Sequence, residues 1–167
     1  MINITVEELL SSYAAGERDF TGVDLHGAEL QYVSLSGINF SRANFENARL
    51  FRINLSGVNL SKACLVDAIV EDADLSDAIL SGANLDGTQF IRSSMERANF
   101  DSAILYRTAM KYSQLDKANF RDVEFGETFF TRCVFRDAIV DIDELHGCYL
   151  TQTLLPQGEI VTNVIED

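Results

Sequence analysis

The 167-residue chain holds two histidines, His26 and His146, and three cysteines, Cys64, Cys133 and Cys148. A shared metal or a proton relay needs such groups within a few ångströms of each other, and a single His is poor evidence of ligation. The cysteines are odd in number and lack C-x-x-C spacing. They read as three reduced thiols in the cytoplasm, not as a disulfide framework or a zinc site. Ser36, Ser56 and Ser76, and likewise Ser41, Ser61 and Ser81, recur at one spacing. A serine nucleophile needs a base within hydrogen-bond reach, and no His accompanies either series. Hydroxyls that satisfy turn backbone account for them better. No G-x-G-x-x-G or G-x-x-x-x-G-K-[ST] phosphate loop occurs, and in SGANL and SGVNL the Gly eases a turn. The expectation is a chain with no catalytic, cofactor or metal site.

The elements that hold these residues follow an unusual period. Asp72 to Leu85 reads DADLSDAILSGANL, with Leu75, Leu80 and Leu85 five apart and an Ala two residues ahead of each. An apolar residue stands at every fifth position from Phe20 to Leu150, giving 27 centres: 14 Leu, 9 Phe, 2 Met and 2 Val. A step of five turns an α-helix by roughly 140°, and on a strand it flips the side chain to the opposite face. Neither yields one apolar side. A chain that turns a corner every five residues does, with the centre and the small residue two before it pointing inward. Coils of such a chain stack into a solenoid.

Three stretches, ADLSDAILSGANL, SRANFENARL and LDKANF, resemble the pentapeptide-repeat family, whose pattern is roughly A-[DN]-[LF]-x-x. The resemblance spans residues 18–152. It implies an all-β solenoid, a right-handed four-sided β-helix of about 6–7 coils, with four repeats per coil; the five is read from the residues, the four only from the resemblance. His26 and His146 would then lie six coils apart, about 29 Å at roughly 4.8 Å per coil, with His26 near Glu46 of the next coil. Phe120, Phe125, Phe130 and Phe135 would fill one coil's interior as core.

A solenoid needs caps at both ends. Thr5 to Glu8 fits a capping box, and Ile2, Val6, Leu9, Leu10 and Tyr13 follow at helical spacing up to Gly16. Residues 1–17 therefore read as a capping helix, which also resembles the caps of bacterial members of the family, and residues 18–152 as the β-helix. Residues 153–167 read as a C-terminal cap or tail in which TLLPQGEIV makes two short strands around a Pro-x-Gly turn. That end also offers an edge to a second molecule. DIDEL, with Asp143 where a small inward residue belongs, marks a bulge or helical turn.

The net charge of −13 opposes nucleic-acid and anionic-membrane binding. No secretion signal and no apolar run of membrane-spanning length is read in the sequence, so the expectation is a cytoplasmic protein. With four repeats per coil the outward charges separate. The side centred on Leu25, Phe45, Leu65 and onward carries seven acids against Arg107, a net −6. The next side, centred on Leu30, Leu50, Val70 and onward, carries Arg49, Arg52, Arg92, Lys111 and Arg132 against three acids, a net +2. It also places Tyr32, Phe51, Ile69, Ile91, Tyr112, Phe129 and Tyr149 outward. Arg among aromatic residues is the composition of a protein–protein hot spot. Two functions follow: a non-catalytic scaffold that binds an unidentified protein, or a second copy through an end cap or this flank; or, as the family resemblance implies, an acidic DNA mimic that inhibits or protects a type II topoisomerase (gyrase).

Overall fold

The computed structural model describes residues 2–162. The chain is a four-sided β-solenoid with one short helix near its N-terminus. Strands β3 (Glu29–Gln31), β4 (Arg49–Phe51), β5 (Ile69–Glu71), β6 (Gln89–Ile91), β7 (Ala109–Lys111), β8 (Phe129–Thr131) and β9 (Tyr149–Thr151) stack in sequence order into one parallel sheet. Each strand pairs with the next at a register of 20 residues, as in Leu50↔Val70 and Val70↔Phe90. That register supplies the number missing from the fivefold pattern: four repeats close one coil. The other three sides pair through single-residue bridges at the same step, such as Asn54↔Asp74 and Asn59↔Ile79.

The corners explain why five residues suffice. In most repeats the centre carbonyl accepts the amide of the residue three on, as Leu75 does from Ala78 at 3.0 Å. The intervening Asp77 has φ of 60°. This is a type II turn, which demands positive φ at its third residue. The same left-handed position recurs in repeat after repeat and is held by Arg, Asp, Lys and Asn as well as Gly. A non-glycine residue there costs about 1–2 kcal/mol, so the coil-to-coil hydrogen bonds of 2.7–3.2 Å on either side must hold it in place.

Every centre from Phe20 to Phe135 is buried, including all four Phe of the coil at residues 120–135. Phe100 and Phe120 stack at 4.8 Å with their rings 3° from parallel. The frame extends one repeat beyond residue 150, since Thr153 and Leu155 are buried as well. It lapses where DIDEL stands: Ile142–Leu145 forms a 3-10 turn capped by Asp141, and Asp143 is exposed.

Both ends of the described chain are covered. Helix α1 (Val6–Ala14) starts with the full capping box between Thr5 and Glu8 and buries Leu9 completely. Ile2 lies outside the helix: β1 (Ile2–Asn3) pairs in parallel with β2 (Val23–Asp24), extending one side of the first coil. The backbone before the capping box is extended, and its free groups find the coil edge sooner than a helical partner. At the other end β10 (Thr153–Leu154) pairs antiparallel with β11 (Ile160–Val161) around the turn at Pro156. Residues 163–167 of the expected tail lie outside the described residues.

Candidate protein-interaction face

The side that stands out in the sequence for its Arg and aromatic residues is the seven-stranded sheet. Two outward columns run along it, one on each flank of the buried centres. The first holds Arg49, Ile69 and Phe129, and the second holds Phe51, Ile91 and Lys111. A third column, at the left-handed corner, holds Arg52, Arg92, Tyr112 and Arg132. The ten residues therefore share one flank of the rod. Phe51, Ile69 and Ile91 are half-buried, whereas Tyr32, Tyr112, Phe129 and Tyr149 are among the most exposed large apolar side chains of the molecule.

The corner column is a ladder of contacts between coils. Arg52 stands over the Tyr32 and Phe51 rings at 5.8 and 5.2 Å and reaches Asp72 at 3.6 Å. Arg92 donates to Asp72 at 2.7 Å and also pairs with Glu71. Its hydrogen bonds hold the Asp72 carboxyl below the usual carboxylate range. Arg132 stands over Tyr112 at 5.5 Å and donates to Gln152 at 2.5 Å, while Phe129 and Tyr149 stack at 4.6 Å. These contacts pre-order long side chains on a flat surface, which lowers the entropy cost of binding. Two shallow depressions interrupt the sheet. One of about 250 Å³ is lined by Arg49, Phe51 and Ile69, and one of about 340 Å³ by Ala109, Lys111 and Phe129.

The model of the family described as pentapeptide repeats matches with eight copies over residues 19–57, 44–72, 53–90, 71–107 and 113–141. The chain belongs to the pentapeptide repeat family. Its coil is similar to that of alr5209, a pentapeptide repeat protein from Nostoc PCC 7120. The two share 31% identity over 69% of this chain and 98% of that one, with a TM-score of 0.52. It is also similar to HetL of Nostoc sp. PCC 7120, a pentapeptide repeat protein involved in heterocyst differentiation regulation, at 20% identity over 95% and 100% of the two chains and a TM-score of 0.34. A third likeness is to QnrB1, a plasmid-mediated fluoroquinolone resistance protein, at 20% identity over 78% of each chain and a TM-score of 0.49. No curated protein matches the sequence.

Within the pentapeptide coil, outward residues on the other sides are largely committed to the fold. Asn or Asp before a centre accepts the amide two residues on, as Asn59 does from Ser61 at 3.0 Å and Asp74 from Ser76 at 2.9 Å. This is an Asx turn, and it takes over the role that the sequence reading gave to the Ser hydroxyls. The Ser76 hydroxyl instead lies 2.9 Å from that of Ser94 in the next coil. Thr88 and Thr108, fully buried, donate to the carbonyls of Leu65 and Leu85 at 2.7 Å, and Thr153 to that of Phe130 at 2.9 Å. This inward hydroxyl series escaped the sequence reading, although its signal was present: Thr and Ser stand where Ala stands in neighbouring coils.

The acidic side faces away from the sheet around one corner. Arg107 pairs with Asp86 at 2.7 Å, and His26 lies 3.9 Å from Glu46. Apolar Val66 and Ile104 and the ring of Tyr106 interrupt its acids. Among the described residues, no three His, Cys, Asp or Glu are grouped to hold a metal ion, and no helix is long and apolar enough to cross a membrane. Burial pushes the Cys133 and Cys148 thiols up to about 12, while Cys64 is partly exposed.

Proposed function

We propose that this pentapeptide-repeat protein is a non-catalytic scaffold that binds a partner protein, or a second copy, through the seven-stranded sheet. One observation carries the reading. On the other sides the residues flanking the centres are mainly those the turns use, whereas here they include Arg49, Phe51, Ile69, Ile91, Phe129 and Tyr149, which no turn requires. Arg and aromatic side chains held in fixed positions beside shallow depressions suit a hot spot. The test replaces Phe51, Ile91 and Phe129 together with Ser. Loss of specific protein capture from host extract, or a changed oligomeric mass, with an unchanged circular dichroism spectrum is the expected result. Unchanged capture and unchanged mass in the folded variant refute it.

A second reading rests on the acidic side, whose net −6 suits an imitation of duplex DNA toward a type II topoisomerase. Its acids do not form a continuous track, because Cys64, Val66, Ile104 and Tyr106 stand among them, and Arg107 neutralises Asp86. A supercoiling assay with gyrase decides it: absence of inhibition and of drug protection at micromolar protein dismisses this reading.

A further inference from the structure

We infer that the rod has an openable end and a latched end. The coils before Leu65 part and reclose along the sheet, while those after it stay shut. The corner that leaves the sheet carries the argument. At the other three corners the centre carbonyl accepts the amide three residues on in most coils. Among the described residues this bond is missing in every coil at the corner that leaves the sheet. The residues from Ile53 to Cys133 at that corner are buried, so their amides need another acceptor.

Hydroxyls of the next coil supply it, in one part of the rod. Ser93 Oγ accepts the Ala73 amide at 3.3 Å and donates to the Val70 carbonyl at 3.3 Å, gripping the corner below by both groups. Thr153 Oγ1 accepts the Cys133 amide at 3.4 Å and donates to the Phe130 carbonyl at 2.9 Å. Between these two, Ser113 Oγ accepts the Ser93 amide at 3.5 Å, and the Cys133 thiol reaches the Met110 carbonyl at 3.1 Å. Over Val33 stands Ile53, and over Ile53 stands Ala73; neither has a hydroxyl. The sheet's other flank shows the same division. Thr88, Thr108 and Thr128 tie the carbonyls of Leu65, Leu85 and Leu105, whereas Ala48 and Ala68 hold that place in the coils before.

The backbone follows the same gradient. At the corner that leaves the sheet, the Tyr32 amide reaches the next coil at 3.1 Å, and those of Arg52 and Asp72 at 2.9 Å. Arg92 and Tyr112 reach it at 2.8 Å and Arg132 at 2.7 Å. The bond that joins coils thus tightens by steps toward the latched end. A buried amide without an acceptor forfeits its hydration and gains nothing in return. In a solenoid each coil touches only its neighbours, so such differences stay local and set which coils open first. Of the two depressions in the sheet, the one at Phe51 lies toward the openable end and the one at Phe129 among latched coils. The sheet therefore presents one adaptable depression and one rigid one.

The test is amide hydrogen exchange of the full chain, resolved by residue with NMR and corrected for intrinsic rates. Arg52 and Arg132 make the decisive pair. They are the same residue type at the same corner, each one coil in from an end of the stacked sheet. Arg52 is expected to exchange about tenfold or more faster than Arg132, and Tyr32 faster than Tyr112. Fraying from both ends alike would give Arg52 and Arg132 equal protection, and that result overturns the inference. Two variants move the latch. Ala73→Ser adds a hydroxyl over Ile53 and should slow exchange at Arg52 by about fivefold. Ser93→Ala frees the Ala73 corner and should bring Asp72 close to the rate of Arg52. An unchanged Arg52 in Ala73→Ser overturns the inference even where Ser93→Ala fails to fold, and so does an unchanged Asp72 in folded Ser93→Ala. None of these outcomes bears on capture by the sheet, so the proposed function stands or falls apart from the latch.

Discussion

Replacing Gly126 with Ala puts a methyl group where the Tyr106 ring lies. The added Cβ would sit 2.3 Å from the ring Cδ1, 2.6 Å from Cε1 and 2.9 Å from Cγ. Gly126 is also where the coil departs from its own rule, since positive φ falls here (51°) and not on the following residue, Glu127. The reference is Gly57→Ala, at φ of 65° with nothing within 4 Å of the added methyl. There the left-handed cost of about 1–2 kcal/mol is partly offset by the about 0.4–1 kcal/mol gained from a stiffer unfolded chain, leaving roughly 0.5–1 kcal/mol of destabilisation. Gly126→Ala bears the same cost, and the ring must also move by about an ångström. An off-rotamer side chain costs about 0.5–1.5 kcal/mol, and uncovering roughly 40 Å² of apolar surface adds about 1 kcal/mol. Gly126→Ala is therefore expected to destabilise by about 1.5–2.5 kcal/mol more than Gly57→Ala, read from urea unfolding by circular dichroism with unchanged m values. Adding Tyr106→Ala to both should bring them level. Equal losses with Tyr106 present, or an undiminished gap without it, would refute the reasoning.

Thr5→Ala removes the cap of α1 and should cost about 1 kcal/mol and lower Tm, whereas Thr21→Ala should not lower it comparably. Phe120→Ala opens a cavity where three other rings, Phe100, Phe125 and Phe135, meet and should cost about 3–5 kcal/mol, measured by thermal or urea unfolding. A thiol reagent below pH 9 should label one cysteine per folded chain, Cys64, and three after unfolding; fast labelling of Cys133 would contradict its burial. Because folding raises the Cys133 and Cys148 values, the folded state binds more protons between the ordinary thiol range and about 12, so stability should fall as pH rises through that window. Folding lowers the Asp72 and Asp77 values through hydrogen bonds from Arg92 and Arg97. Their contribution is present above the ordinary carboxylate range and lost as pH falls through the lowered values, so Arg92→Met should flatten the acid limb of the stability curve.

The solenoid, its inward centres and the capping box of α1 were legible because each rests on local rules: a fixed period, small residues at fixed offset, Thr and Glu three apart. The number of repeats per coil was not, since nothing within five residues states which coil neighbour will sit beneath; the 20-residue register settles it. Once that step is known, pairs such as Arg92 with Asp72 and Arg97 with Asp77 can be found at the same spacing. Ile2 was misplaced onto the helix because an apolar residue at helical spacing does not reveal a nearby strand edge. The shifted corner at Gly126 was hidden because the Tyr106 ring that lies against it comes from the previous coil. The Arg and aromatic flank was legible by side, but its division into paired cations and half-buried apolar residues needed the side-chain contacts.

The corner-by-corner coil treats its interior and its surface as separately editable. Gaining or losing one pentapeptide leaves every later centre pointing inward, so the core frame survives. Yet each later outward residue moves round by one side: a gain places the downstream acids over the upstream sheet, and a loss places the downstream sheet residues over the upstream acids. Gaining or losing a whole coil of 20 residues keeps the sides aligned and only changes the length of the rod. Surface pattern in this chain is therefore inherited in steps of four repeats, while foldability is inherited in steps of one.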